Sequence, residues 1–71
     1  MKTKDEIIAA MQRTIRESRE AIGRLQAGDY TGFKFCTGVY AAEQIINNRF
    51  KPAIEAAQRV IDANLSPEDL A

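Results

Sequence analysis

Residues 28–40 read GDYTGFKFCTGVY. Three of the chain's four glycines lie here, with its single cysteine and four of its five aromatic residues. Most of the stretch belongs to neither of the helical patterns on its two sides. Reading it as their connection gives an αα-hairpin.

The pattern before it opens at Thr3-Lys4-Asp5-Glu6, where Thr3 and Glu6 have the spacing of a capping box. Asp5 and Glu6 also complement the positive end of a helix dipole. From there Ile8, Met11, Ile15, Ser18, Ile22 and Leu25 follow alternating steps of three and four. That is an a/d seam, with the polar Ser18 set into it. Arg13, Arg16, Glu17, Glu20 and Arg24 occupy the opposite face, spaced for i,i+4 pairs. Gly28 is a natural stop. The expected first helix covers about 3–27, a length of about 36 Å.

The pattern after the connection covers about 38–64. Val39, Ala42, Ile45, Ile46, Phe50, Ala53, Ile54, Ala56, Ala57, Val60 and Ile61 fill nearly half of the helical wheel. An arc this broad is wider than one neighbour needs. Pro52 interrupts the pattern, removing one backbone donor and crowding the preceding turn. The apolar phase nevertheless runs on through Ile46, Phe50, Ala53, Ala57 and Ile61. The expectation is one helix, kinked or broken near Pro52, with one kinked helix preferred. Residues 65–71 form a tail, in which Ser66-Pro67-Glu68-Asp69 has the composition of a helix start.

The chain has 71 residues, enough for one domain, 1–71. A domain of this size needs a staple or a partner. Cys36 alone closes no intrachain disulfide, and without histidine there is no clustered metal-ligand set, so neither metal nor cofactor is expected. Two helices do not enclose a core, and the broad arc of the second is expected to pair with another copy. The fold class is therefore all-α: an antiparallel helical hairpin assembling as a homo-oligomeric bundle, a dimer or higher.

Ten basic residues balance ten acidic ones, which argues against an extended nucleic acid as partner. No apolar run approaches a membrane span, and the charged start MKTKDEIIAAM does not resemble a signal peptide. A cytoplasmic protein with a reduced thiol is expected.

The connection carries the candidate binding residues. Tyr30, Phe33, Phe35 and Tyr40 can plug the open end of a bundle, present a protein-binding patch, or stack on a nucleotide-like ring. Lys34 offers a charge to a phosphate, and the amides near Gly32 and Gly38 lie where an anion is received at a helix start. The glycine spacing matches neither the phosphate loop nor the dinucleotide fingerprint. Phe33-Lys34-Phe35 alternates, as a short extended piece pairing across a dimer axis does. Arg49 falls within the apolar arc, where it is expected to meet a carboxylate of a second chain, such as Glu43 or Glu17, or an anionic ligand.

No base accompanies Ser18 or Cys36, and no carboxylate pair has acid–base spacing, so no enzymatic activity is expected. Two functional readings follow. One is a small homo-oligomeric interaction protein that binds a protein partner as inhibitor or adaptor. Paired-helix proteins of this size are common among phage- and plasmid-encoded regulators, an analogy at the level of fold alone. The alternative is a ligand-sequestering protein that holds a nucleotide-like molecule between chains.

Overall fold

The computed structural model describes residues 3–65. Three helical segments and a short π-helical turn make up a hairpin: α1 (Lys4–Gln26), α2 (Val39–Ile45), the π turn (Ile46–Phe50) and α3 (Lys51–Asn64). No strand occurs among the described residues. The Ser66-Pro67 turn expected in the tail lies outside them. Leu65 ends α3 in extended conformation and packs against the core.

Thr3 caps α1 as its sequence suggests. Its hydroxyl accepts a hydrogen bond from the Glu6 amide at 3.2 Å. The helix stops through a Schellman motif. The Gly28 amide donates to the Leu25 carbonyl at 3.2 Å, and the Asp29 amide to the Arg24 carbonyl at 2.9 Å. Gly28 sits at φ +83°, the left-handed conformation that this motif requires.

Pro52 neither breaks the second helix nor leaves it regular. Proline has no amide to offer the carbonyl one turn back, and its ring crowds that carbonyl. Here the preceding turn widens to take one more residue: the Lys51 amide donates to the Ile46 carbonyl, an i→i+5 bond. Helical geometry continues from Val39 to Asn64 through the widened turn. The apolar phase survives it, since Ile46, Ala57 and Ile61 are buried and Phe50 and Ala53 half-buried. Arg49 lies in this turn but is exposed, as are Ala56 and Val60 on the same edge of the expected arc, so its charge keeps its hydration.

The core has two parts. Ile15, Ala57 and Ile61 form one, with Ile8, Met11, Ile54 and Leu65 against them. Leu25, Ala42 and Ile46 form the other at the loop end, joined by Ile22, Tyr30, Phe33 and Phe50 among others. Ser18 is buried on α1 between them, where a small side chain lets the helices approach. All of these a/d positions of α1 face inward. The expected charge pairs on its outer face do not form: among the described residues no ion pair joins Arg13 to Glu17 or Arg16 to Glu20. Exposed pairs gain little over separate hydration, so the helix does not need them.

The hairpin is thin. Its extents are 46 × 22 × 16 Å and its radius of gyration is 14.9 Å. A compact domain of this length has a radius of about 11 Å. No large side chain among the described residues is fully enclosed, Leu25 coming nearest at 2% exposure.

Candidate functional site

The connection folds into two halves with different tasks. Asp29 organises the first. Its carboxylate accepts from the Thr31 amide at 3.2 Å, closing an Asx turn, and from Arg24 Nε at 3.2 Å. Arg24 also donates to the Thr31 carbonyl. Arg24 and Asp29 occupy the C3 and C″ positions of the Schellman motif, where an apolar contact is usual. An ion pair takes its place here. Hydrogen bonds from Thr31, then from Arg24, hold the Asp29 carboxyl below its ordinary pKa. Gly32 follows at φ +85° and turns the chain back toward the core.

Phe33 and Tyr30 then pack inward. The Phe33 ring meets Phe50 edge-on, with centroids 6.0 Å apart and planes at 89°. The Arg24 guanidinium lies 5.2 Å from the Phe33 ring centre, and Arg49 lies 5.0 Å from that of Phe50. The four side chains make a ladder, Arg24–Phe33–Phe50–Arg49, from α1 through the loop to the π turn. Each cation–ring contact at an exposed site contributes about 0.5–1 kcal/mol. Arg49 is thus engaged within its own chain, on the ring of its neighbour.

The second half points outward. Lys34 and Phe35 form a turn, so the extended Phe33-Lys34-Phe35 piece expected from the alternation is absent. Phe35 sits at φ +64° with 92% of its surface exposed. The left-handed conformation is strained for a residue carrying Cβ, by about 1–2 kcal/mol. Cys36 returns to the core side, half-buried, as a structural cysteine does. Gly38 precedes α2 without a side-chain cap. Val39 and Tyr40 then begin α2 with 71% and 76% exposure. Three large apolar side chains stand in water around one end of the hairpin.

Beside them lies a groove of about 580 Å³. Leu25, Ala42 and Ile46 form its apolar floor, Tyr30 and Val39 its upper wall, and Glu43 and Lys51 part of its rim. A second groove of about 560 Å³ runs along the middle of the hairpin, lined by Ile15, Ile61 and the more polar Arg16, Arg19, Glu20 and Gln58.

The six candidate residues therefore separate. Tyr30 and Phe33 join the core at the loop end. Lys34, Phe35 and Tyr40 face solvent, and Arg49 lies on the far side of the aromatic ladder. Arg24 and Phe50 belong to the same construction but do not stand out in the sequence. The five-residue step from Arg24 to Asp29 across a glycine stop is the signal that points to the clasp. No helix among the described residues is long and apolar enough to cross a membrane, and no cluster of metal-ligating side chains occurs among them. Compared with known proteins, the chain matches no family model, no curated sequence and no solved structure.

Proposed function

We propose that this chain is a non-enzymatic interaction protein: a self-associating helical hairpin that acts by binding a protein partner, as inhibitor or adaptor. The observation that carries this reading is the exposure of Phe35, Val39 and Tyr40 together at one end of the hairpin. An exposed apolar cluster rimmed by polar residues is the usual form of a protein–protein contact surface. Phe35 strengthens the case. A strained residue displaying its ring to solvent gains nothing for the fold of its own chain, so its value lies in contact with another.

The ligand-sequestering alternative loses ground on the same geometry. Two of its four candidate stacking residues, Tyr30 and Phe33, are packed in the chain's own core. Arg49 is stacked on Phe50 rather than set over a pocket.

The test is capture with the immobilised full chain, comparing it with a Phe35→Ser/Tyr40→Ser double variant. A stoichiometric protein retained by the first and lost from the second, at equal helicity, is the expected result. Equal retention by both removes the loop end as the contact surface. A thermal-shift screen of nucleotides is expected to give no stabilisation.

A further inference from the structure

The two ends of the second helix turn inward on different phases. In α3 the inward residues are Ala53, Ile54, Ala57 and Ile61, with Phe50 leading into them. In α2 they are Ala41, Ala42, Ile45 and Ile46. Two heptads counted back from the buried Ala57, through Phe50, end on Glu43. Glu43 is nevertheless exposed, and its neighbour Ala42 is buried in one cluster with Leu25 and Ile46. Val39 also falls on the inward arc when regular helical steps are counted back from Ala57, yet it stands in water.

The inward face of α2 therefore lies one residue, about 100°, away from the face that α3 carries. The π turn supplies that residue. Its bond from the Lys51 amide to the Ile46 carbonyl spans five residues, where an α-helical bond spans four. Ala42 and Ala57 are fifteen residues apart, two heptads and one residue more.

A regular helix through this region also turns apolar side chains inward, namely Val39, Ile46 and Phe50. Two residues oppose it. Glu43 resists burial of its charge, and Pro52 sets its ring against the Asn48 carbonyl. The glutamate side chain is flexible and already lines the open groove at the loop end. The proline ring has no such freedom, so Pro52 is the residue that admits only the wide turn.

We propose that Pro52 decides which side chains of α2 the chain displays. By imposing the π turn it holds α2 one residue out of phase with α3, so that Ala42 packs with Leu25 while Val39 and Glu43 face outward. Pro52 is thus a positioning residue for a surface it does not belong to. The inference rests on the reading of the loop end as a protein-contact surface, and adds what sets its composition.

Thiol reactivity in the full chain tests the proposal, with helicity followed by circular dichroism. Ala42→Cys and Glu43→Cys are each made with Cys36→Ser, so that every protein carries one thiol. With Pro52 in place, the thiol at position 42 is expected to react slowly and that at 43 quickly, as their burial requires. Pro52→Ala restores the missing amide and is expected to reverse this order. Deleting Asn48 as well sets position 42 two heptads from Ala57, and is expected to return the slow reaction to 42 with no proline present. A purely stabilising role for Pro52 changes both rates in the same direction and gives the deletion nothing to rescue.

An order of reactivity unchanged by Pro52→Ala overturns the proposal, because packing alone then holds the phase. So does a deletion that leaves position 42 reactive, or a Pro52→Ala chain less helical than the wild type. These readings involve no partner, so they stand or fall apart from the capture test of Phe35 and Tyr40. If the order reverses but a protein captured through Phe35 and Tyr40 binds Pro52→Ala as tightly as the wild type, the assignment of Pro52 to the contact surface is overturned.

Discussion

The two halves of the loop use the same residue types in opposite ways. In residues 28–33 the aromatics Tyr30 and Phe33 turn inward, and an ion pair, an Asx turn and two left-handed glycines hold the backbone in place. In residues 34–40 the aromatics Phe35 and Tyr40 turn outward, and the left-handed position is filled by phenylalanine rather than glycine. The first half spends its side chains on the stability of the hairpin. The second accepts strain and exposure that the hairpin does not need. That contrast separates the residues that fold the chain from those it leaves exposed.

Substitution within the inner half has the largest expected effect. Phe33→Ala removes a half-buried ring, its edge contact with Phe50 and its cover over Arg24. The expected loss is about 2–3 kcal/mol of stability, below the range for a fully buried phenylalanine because the ring is only half enclosed. For a hairpin this thin, that is a large share of the total. Urea unfolding followed by circular dichroism measures it. A loss no greater than that of Phe35→Ala dissolves the distinction between the halves.

A substitution in the outer half has the opposite sign. Phe35→Gly relieves the left-handed strain and exposes nothing new. At concentrations where the chain is monomeric, the variant is expected to be about 1 kcal/mol more stable than the wild type. A destabilised variant in the same urea experiment shows that the Phe35 ring supports the fold after all.

The smallest effect concerns acid. The Asp29 carboxyl is held below its ordinary pKa of 3.8 in the folded chain. The unfolded chain therefore binds the proton more readily. The contribution of Asp29 is fully present above that ordinary value and disappears as pH falls through the lowered one. The group is exposed, so the change is slight and local to the clasp. Amide exchange at Thr31 is expected to quicken more steeply between pH 4 and pH 2, after correction for intrinsic rates, in the wild type than in Asp29→Asn. Parallel profiles for the two proteins mean that the clasp does not depend on the carboxylate.

Much of the fold was legible because it rests on periodicity. The a/d seam of α1, the Thr3 cap and the stop at Gly28 are local signals, and each is found where the pattern places it. The continuity of the second helix was legible from the unbroken phase of Ile46, Phe50, Ala53, Ala57 and Ile61. The π turn was not, because Pro52 states only that a backbone bond is lost and not how neighbouring turns rearrange. Arg49 lies with Ala56 and Val60 on the edge of the arc that stays exposed, and periodicity alone does not tell which edge of a broad arc a neighbour covers.

The loop shows a different limit. Its aromatic content sets it apart from the helices but does not tell which rings turn inward. That division depends on φ values at Gly28, Gly32 and Phe35 and on the Arg24–Asp29 pair. These set direction over a few residues with no repeating pattern to reveal it. The sequence pattern places Arg24 on the solvent face of α1, and its bonds to Asp29 and Thr31 form only once the loop closes over it.

The account's central claim is that Phe35 serves contact between chains and not the fold of one chain. The most direct test is the concentration dependence of the thermal midpoint, measured for the wild type and for Phe35→Gly. Association that binds only the folded chain makes the midpoint rise with concentration. The account predicts a rising midpoint for the wild type and a flat one for Phe35→Gly, the variant being the more stable of the two at the lowest concentration. Midpoints that rise equally in both proteins, or stay flat in both, contradict it.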